Sequence, residues 1–139
     1  MSKTLSISGE IKIDETVSST TTNISTEDLL VENEFSEITI QEITLTAEAA
    51  DESISLGGIS SDASLVIIVP EYTADSYPVP LYYLTTKVNS SATATPFGKL
   101  YVAGGYSTTG IDAITISNPD TNYTVDIKVY ICKLWLKWF

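Results

Sequence analysis

The chain has no histidine and no arginine, and only one cysteine, Cys132, and one methionine. Each absence removes a class of chemistry. Without an imidazole there is no Ser-His-Asp or Cys-His nucleophile and no imidazole metal ligand. Without a guanidinium there is no bidentate clamp for phosphate or carboxylate. A single cysteine allows neither an internal disulfide nor a cysteine zinc site. Positive charge is scarce: seven Lys stand against 18 Asp and Glu, a net charge of −11. Nucleic acids and anionic membranes are bound through Lys and Arg, so neither is an expected partner. A binding or structural role without catalytic, cofactor or metal residues is what these absences leave.

What is present supports a folded body. Apolar residues make up 43% of 139 residues, enough for one core and one domain. No apolar run is long enough to cross a membrane as a helix. Met1-Ser2-Lys3-Thr4-Leu5-Ser6 lacks the apolar stretch of a secretion signal, so the chain is expected to be made in the cytoplasm and not secreted by a signal peptide. The sequons at Asn23, Asn89 and Asn122 then read as chance in a Ser/Thr-rich chain.

Charge divides the sequence. Residues 1–62 hold 13 acids and two Lys, whereas residues 63–139 hold five of each. The whole imbalance lies in the first half, which points to an acidic arm or face that meets something basic. Residues 1–34 are read as an acidic N-terminal arm and linker, and residues 35–139 as a β-domain with an aromatic tail.

Ile, Val and Thr number 44; such β-branched residues suit pleated surfaces. Leu5, Ile7, Ile11 and Ile13 share one parity. Ile38 and Ile40 alternate, and Ile43 and Leu45 take the opposite parity, which predicts a β-bulge or corner at Gln41-Glu42. Leu65-Val66-Ile67-Ile68-Val69 reads as a central strand covered on both faces. Pro78-Val79-Pro80 precedes Leu81-Tyr82-Tyr83-Leu84 as an edge or strand start. Lys99-Leu100-Tyr101-Val102 runs into the turn signal Gly104-Gly105. Asn118-Pro119-Asp120 is a turn in which Asn and Asp bond back to the main chain. Tyr123, Val125, Ile127, Val129 and Ile131 give the cleanest alternation. Residues 14–25 show no periodicity and read as linker, and Thr26 to Asn33 is open between helix and strand. The sum is about eight strands with turns every 8–12 residues, an all-β antiparallel sandwich. A jelly roll leads and an immunoglobulin-like sandwich is second.

The search for chemistry finds little. A glycosidase needs two carboxyl groups across a cleft, but most acids fall in the arm or at solvent-facing strand positions such as Glu37 and Glu42. Asp120-Thr121-Asn122 with Asp126 lacks the remaining ligands of a calcium loop. Gly104 to Gly110 has no Lys and no following helix, so it is no phosphate loop. Cys132 reads as a covered thiol. Tyr72, Tyr77, Tyr82, Tyr83, Tyr101 and Tyr106 are core or interface residues in the first reading and a carbohydrate platform in the second.

The two extremities are the candidate binding elements. Lys133-Leu134-Trp135-Leu136-Lys137-Trp138-Phe139 carries both tryptophans, whereas chain ends are normally polar and frayed. Trp135, Leu136, Trp138 and Phe139 are therefore expected to fill an apolar pocket of a partner or of the sandwich itself. At the other end, Leu5, Ile7, Ile11 and Ile13 are expected to add a strand to a neighbour, with Glu32, Glu34, Glu37 and Glu42 facing a basic surface.

The block from Ser53 to Cys132 resembles a module of small tailed-phage virion proteins. The likeness rests on Ile54-Ser55-Leu56-Gly57-Gly58-Ile59-Ser60 followed by Leu65 to Val69. It continues with Ile111-Asp112-Ala113-Ile114-Thr115-Ile116-Ser117-Asn118-Pro119 before the alternating stretch Tyr123 to Ile131. The resemblance implies a jelly-roll-like capsid cement, decoration or neck protein located in the virion. Its partners would be the major capsid protein or other virion proteins, and it would itself form a homo-oligomer (dimer or trimer). A neck or tail adaptor, a head-fibre protein and a carbohydrate-binding module of a receptor-binding protein are the alternatives.

Overall fold

In a computed structural model of the chain, which describes residues 3–56, 63–71, 84–104 and 110–133, the β-branched stretches fold as strands. They are β1 (Lys3–Val17), β2 (Thr20–Phe35), β3 (Glu37–Leu45), β4 (Glu52–Ile54), β5 (Leu65–Glu71), β6 (Leu84–Val88), β7 (Thr95–Phe97), β8 (Tyr101–Gly104), β9 (Ile114–Ser117) and β10 (Val125–Lys133). The fold is all-β and antiparallel, and no helix occurs among the described residues. The ten strands among the described residues exceed the eight expected. The additional pair is β1 and β2, a sheet of their own.

The other eight strands make two four-stranded sheets, in the orders β3-β10-β5-β8 and β4-β9-β6-β7. Their pairings are nested in sequence: β3 with β10, β4 with β9, β5 with β8, and β6 with β7. The best-alternating stretch becomes β10, which is flanked on both sides. Its Val125, Ile127, Val129 and Ile131 are all buried. They form one core cluster with Leu45, Val66 and Ile68 of their own sheet and Ile54, Leu84, Phe97, Ile114 and Ile116 of the other. One cluster shared between two sheets is a sandwich-like arrangement, in which apolar burial drives the association of the layers. β5 is an inner strand, as its continuous apolar run predicts, and Ile67 is buried as well as Val66 and Ile68.

A polar plug closes one end of the core. Asn118 is fully buried, and its Nδ2 donates to the carbonyls of Leu45, Thr46 and Tyr123. Its Oδ1 accepts from the Asp120 amide at 3.2 Å, and Asp120 Oδ1 accepts from the amides of Asn122 and Tyr123 at 2.7 and 3.0 Å. The Asn-Pro-Asp turn expected from sequence thus ties the loop before β10 to the end of β3.

Two expectations are corrected and one open reading is resolved. The β3–β10 register runs without a break from Glu37↔Lys133 to Leu45↔Val125, so there is no bulge at Gln41-Glu42. What changes along β3 is the face that carries the apolar residues. Ile43 and Leu45 meet the core, whereas Ile40 lies on the outer face and is exposed. Second, Thr26 to Asn33 is strand, because its two adjacent leucines make no helical stripe and pairing with β1 supplies a long-range partner. Third, residues 14–25 are not a linker. They contain the tip of the β1–β2 hairpin, and the one register shift falls there, where Ile24 is skipped between Ile13↔Ser25 and Asp14↔Asn23.

Candidate interaction surface

The hairpin is the first candidate, and its geometry follows from the turn. Ser18 and Ser19 both have positive φ, 48° and 67°. Two left-handed residues between paired strands make the tight turn whose twist matches a hairpin. Fifteen residues of β1 then pair with β2. Among the described residues, neither larger sheet runs alongside this ribbon. It is joined to β3 through Ser36, whose amide and hydroxyl both donate to the Lys133 carbonyl.

Cross-strand partners share a face, so the register sorts the ribbon's side chains. One face carries Leu5, Ile7, Gly9, Ile11, Ile13 and Val17 from β1, with Leu29 and Phe35 from β2. Ile11, Ile13 and Val17 are 53%, 53% and 60% exposed. The other face carries Glu10 opposite Asp28, Ser6 opposite Glu32 and Thr4 opposite Glu34, with Asp14 further along. Lys12 Nζ lies 3.6 Å from Asp14, and Asn23 Nδ2 donates to Asp14 Oδ1 at 3.0 Å. The ribbon is amphipathic: one face leaves Ile11, Ile13 and Val17 exposed while Phe35 at its base is buried, and the other face is acidic apart from Leu30.

The structure therefore brings together the four sequence candidates Leu5, Ile7, Ile11 and Ile13. They do not lie on a lone extended arm: β1 is paired with β2 along one edge, and its other edge pairs with no strand among the described residues. Sequence reasoning missed Val17, Leu29 and Gly9, which lie on the same face. The missing signal was the turn, since Ser-Ser carries no Gly or Asn to mark a hairpin. The other four candidates, Trp135, Leu136, Trp138 and Phe139, lie outside the described residues. So do five of the six clustered tyrosines; the sixth, Tyr101, is packed at 5.3 Å against Phe97, and burial pushes its phenol above the ordinary 10.0. The four glutamates expected on one basic-facing surface are split. Glu32 and Glu34 share the acidic face of the ribbon, whereas Glu37 and Glu42 lie on opposite faces of β3 and pair with Lys133 and Lys128.

The second candidate is a groove of about 320 Å³ on the sandwich, lined by Glu42, Ile43, Thr44, Glu71, Asp126 and Ile127. Three carboxylates meet there, but their arrangement is that of a surface ladder. Thr44 Oγ1 donates to Asp126 Oδ1 at 2.8 Å. Lys128 Nζ lies between Glu42 and Glu71, at 3.6 and 3.8 Å. Glycoside hydrolysis works with one carboxyl held as an acid beside the scissile bond. Here each carboxylate is bonded to a neighbour in an open trough. The thiol of Cys132 is no better placed: it is fully buried, and burial pushes it up to about 11, far from a reactive thiolate.

Comparison of the chain with protein-family models, with characterised proteins and with solved structures finds no match.

Proposed function

We propose that this is a non-enzymatic jelly-roll protein that works by adhesion, and that it serves in a virion as a capsid cement or decoration protein. The jelly-roll reading is supported by the nested pairing of β3 to β10, in which a long hairpin of strand pairs is rolled so that alternate pairs fall in opposite sheets. The virion reading is supported by the resemblance of residues 53–132 to small tailed-phage proteins, and a neck or head-fibre position would use the same surfaces. One observation carries the adhesive role: a ribbon of fifteen paired residues presents an apolar face on which Ile11, Ile13 and Val17 are exposed. A two-stranded hairpin is marginal in water by itself, and apolar surface of this extent marks a contact site. The aromatic tail, Trp135 to Phe139, is the proposed second anchor.

The test is deletion of residues 1–34. The truncated chain keeps its cooperative melt and fails to load onto capsids, which pelleting with purified particles reads directly. Equal loading of the truncated and full chains overturns the proposal. Added salt separates the two faces of the ribbon. Contacts made by Glu10, Asp28, Glu32 and Glu34 with a basic shell weaken as salt screens them, whereas contacts of the apolar face do not.

A further inference from the structure

We propose that the apolar face of the β1–β2 ribbon is covered by the same face of a second copy of this chain, the two ribbons stacked about a two-fold axis that runs along their length. The inference rests on the reading of the ribbon as an adhesive element and names what it adheres to.

Three observations select a second copy. The first is the distribution of charge. The ribbon carries seven carboxylates and two lysines, and Glu10, Asp14, Asp28, Glu32 and Glu34 all fall on the face opposite Ile7, Ile11 and Ile13, where Leu30 is the one exposed leucine. Stacking two copies apolar face to apolar face therefore leaves these acids on the two outer surfaces, about two sheet thicknesses apart. Only Glu15 and Glu27 share the apolar face. Both strands are ribbon edges, so each of these side chains reaches water sideways. An anionic membrane surface is disfavoured by the ribbon's net charge, and a basic partner is attracted to the other face.

The second observation is shape. Gly9 sits directly across from Leu29 on the apolar face, and a Cβ built at Gly9 meets no atom within 4 Å. The face thus has a notch beside a projecting leucine, near the middle of the ribbon. A two-fold axis along the ribbon lays β1 of each copy over β2 of the other at the same height. It seats the partner's Leu29 over Gly9 and Leu29 over the partner's Gly9. A surface that carries its own complement in this way is isologous, as a two-fold contact requires. The rise of a strand makes fifteen residues about 50 Å long, and two strands are about 10 Å wide. With the Phe35 end already buried in the single chain, the stacked pair covers at most about 1,000 Å² in total, the size of a small, reversible interface.

The third is backbone economy. Glycine weakens a strand interior and marks the close approach of another group. Among the described residues no atom comes within 4 Å of a Cβ built at Gly9; the partner's leucine would.

The experiment is native mass spectrometry with sedimentation equilibrium on the full chain at micromolar concentration. The expected species is twice the 15.1 kDa chain. The double variant Ile11→Lys/Ile13→Lys is monomeric and retains the melting transition of the sandwich. Gly9→Val has room in the single chain and weakens dimerisation at least tenfold. Leu30→Lys, on the acidic face, leaves the mass unchanged. Added salt strengthens the dimer, because it screens repulsion between two acidic chains. A monomeric full chain overturns the inference, as does a dimer that survives Ile11→Lys/Ile13→Lys. A Gly9→Val dimer of undiminished affinity overturns the two-fold stacking. Capsid pelleting distinguishes the two proposals: a monomer that still loads onto particles through residues 1–34 removes the second copy and leaves the adhesive role standing.

Discussion

At the scale of single residues, Asn118 and Thr39 show opposite outcomes of putting a polar atom inside a β core. Asn118 spends both ends of its amide: three carbonyls receive its Nδ2 and the Asp120 amide donates to its Oδ1. Asn118→Ala strands those buried carbonyls and should cost about 3 kcal/mol, read as a lower denaturation midpoint with an unchanged m-value. Thr39 lies on the core-ward parity of β3, and among the described residues its Oγ1 is the buried side-chain oxygen with no hydrogen-bond partner. Thr39→Val keeps the shape and removes the unsatisfied group, so it should stabilise by about 1 kcal/mol. The same urea titration checks both. Each residue looks ordinary in the sequence. Asn118 was legible as a turn former because Pro119 and Asp120 follow it, whereas nothing near Thr39 distinguishes it from the many threonines that face water.

At the scale of elements, the ribbon is where local propensity and pairing disagree. Its turn places two serines in the left-handed region, which disfavours any residue with a Cβ. Glu10 opposite Asp28 sets like charges across the strands, another destabilising choice. Long-range pairing along fifteen residues overrides both. The double substitution Ser18→Asn/Ser19→Gly supplies the residues this turn prefers and should stabilise the ribbon by about 1 kcal/mol. Slower exchange of amides in β1 and β2, with β5 and β10 unchanged, is the expected readout. Most strands of the sandwich were legible from their alternation, with β10 the plainest. β1 was half legible: its apolar parity identifies Leu5, Ile7, Ile11 and Ile13, but not the strand that would pair with them. Residues 26–33 stayed open because Leu29 and Leu30 are adjacent, a spacing that fits neither a helical stripe nor strict alternation.

At the scale of the molecule, charge and core are segregated. The core cluster draws on β3 to β10 and includes no residue of β1 or β2. The sandwich should therefore keep its thermal midpoint within about 1 °C when residues 1–34 are removed, since distant sites contribute independently. Differential scanning calorimetry of both chains measures this. A drop of several degrees would mean that the ribbon stabilises the sandwich rather than serving contacts beyond it. The acids of the sandwich behave differently from those of the ribbon. Glu37, Glu42, Asp51 and Glu71 are paired with Lys133, Lys128 and Lys87, exposed bridges that set cross-strand neighbours more than they stabilise. The ribbon has only Lys3 and Lys12 to offset seven carboxylates. The ribbon thus carries −5 of the chain's −11 where no core fixes it, which favours solubility.

Composition and period-two alternation by themselves determined that the chain is all-β, that its core lies in the second two-thirds, and that its first 34 residues differ in kind. Those are local properties, because a strand's buried face is written in every second residue. Only the tertiary structure decided that the acidic segment pairs with itself, that β3 changes its apolar face without changing register, and that Gly9 and Leu29 share one surface. Each of these depends on which distant residue stands opposite, and register between strands is set by pairing across space rather than by neighbours along the chain.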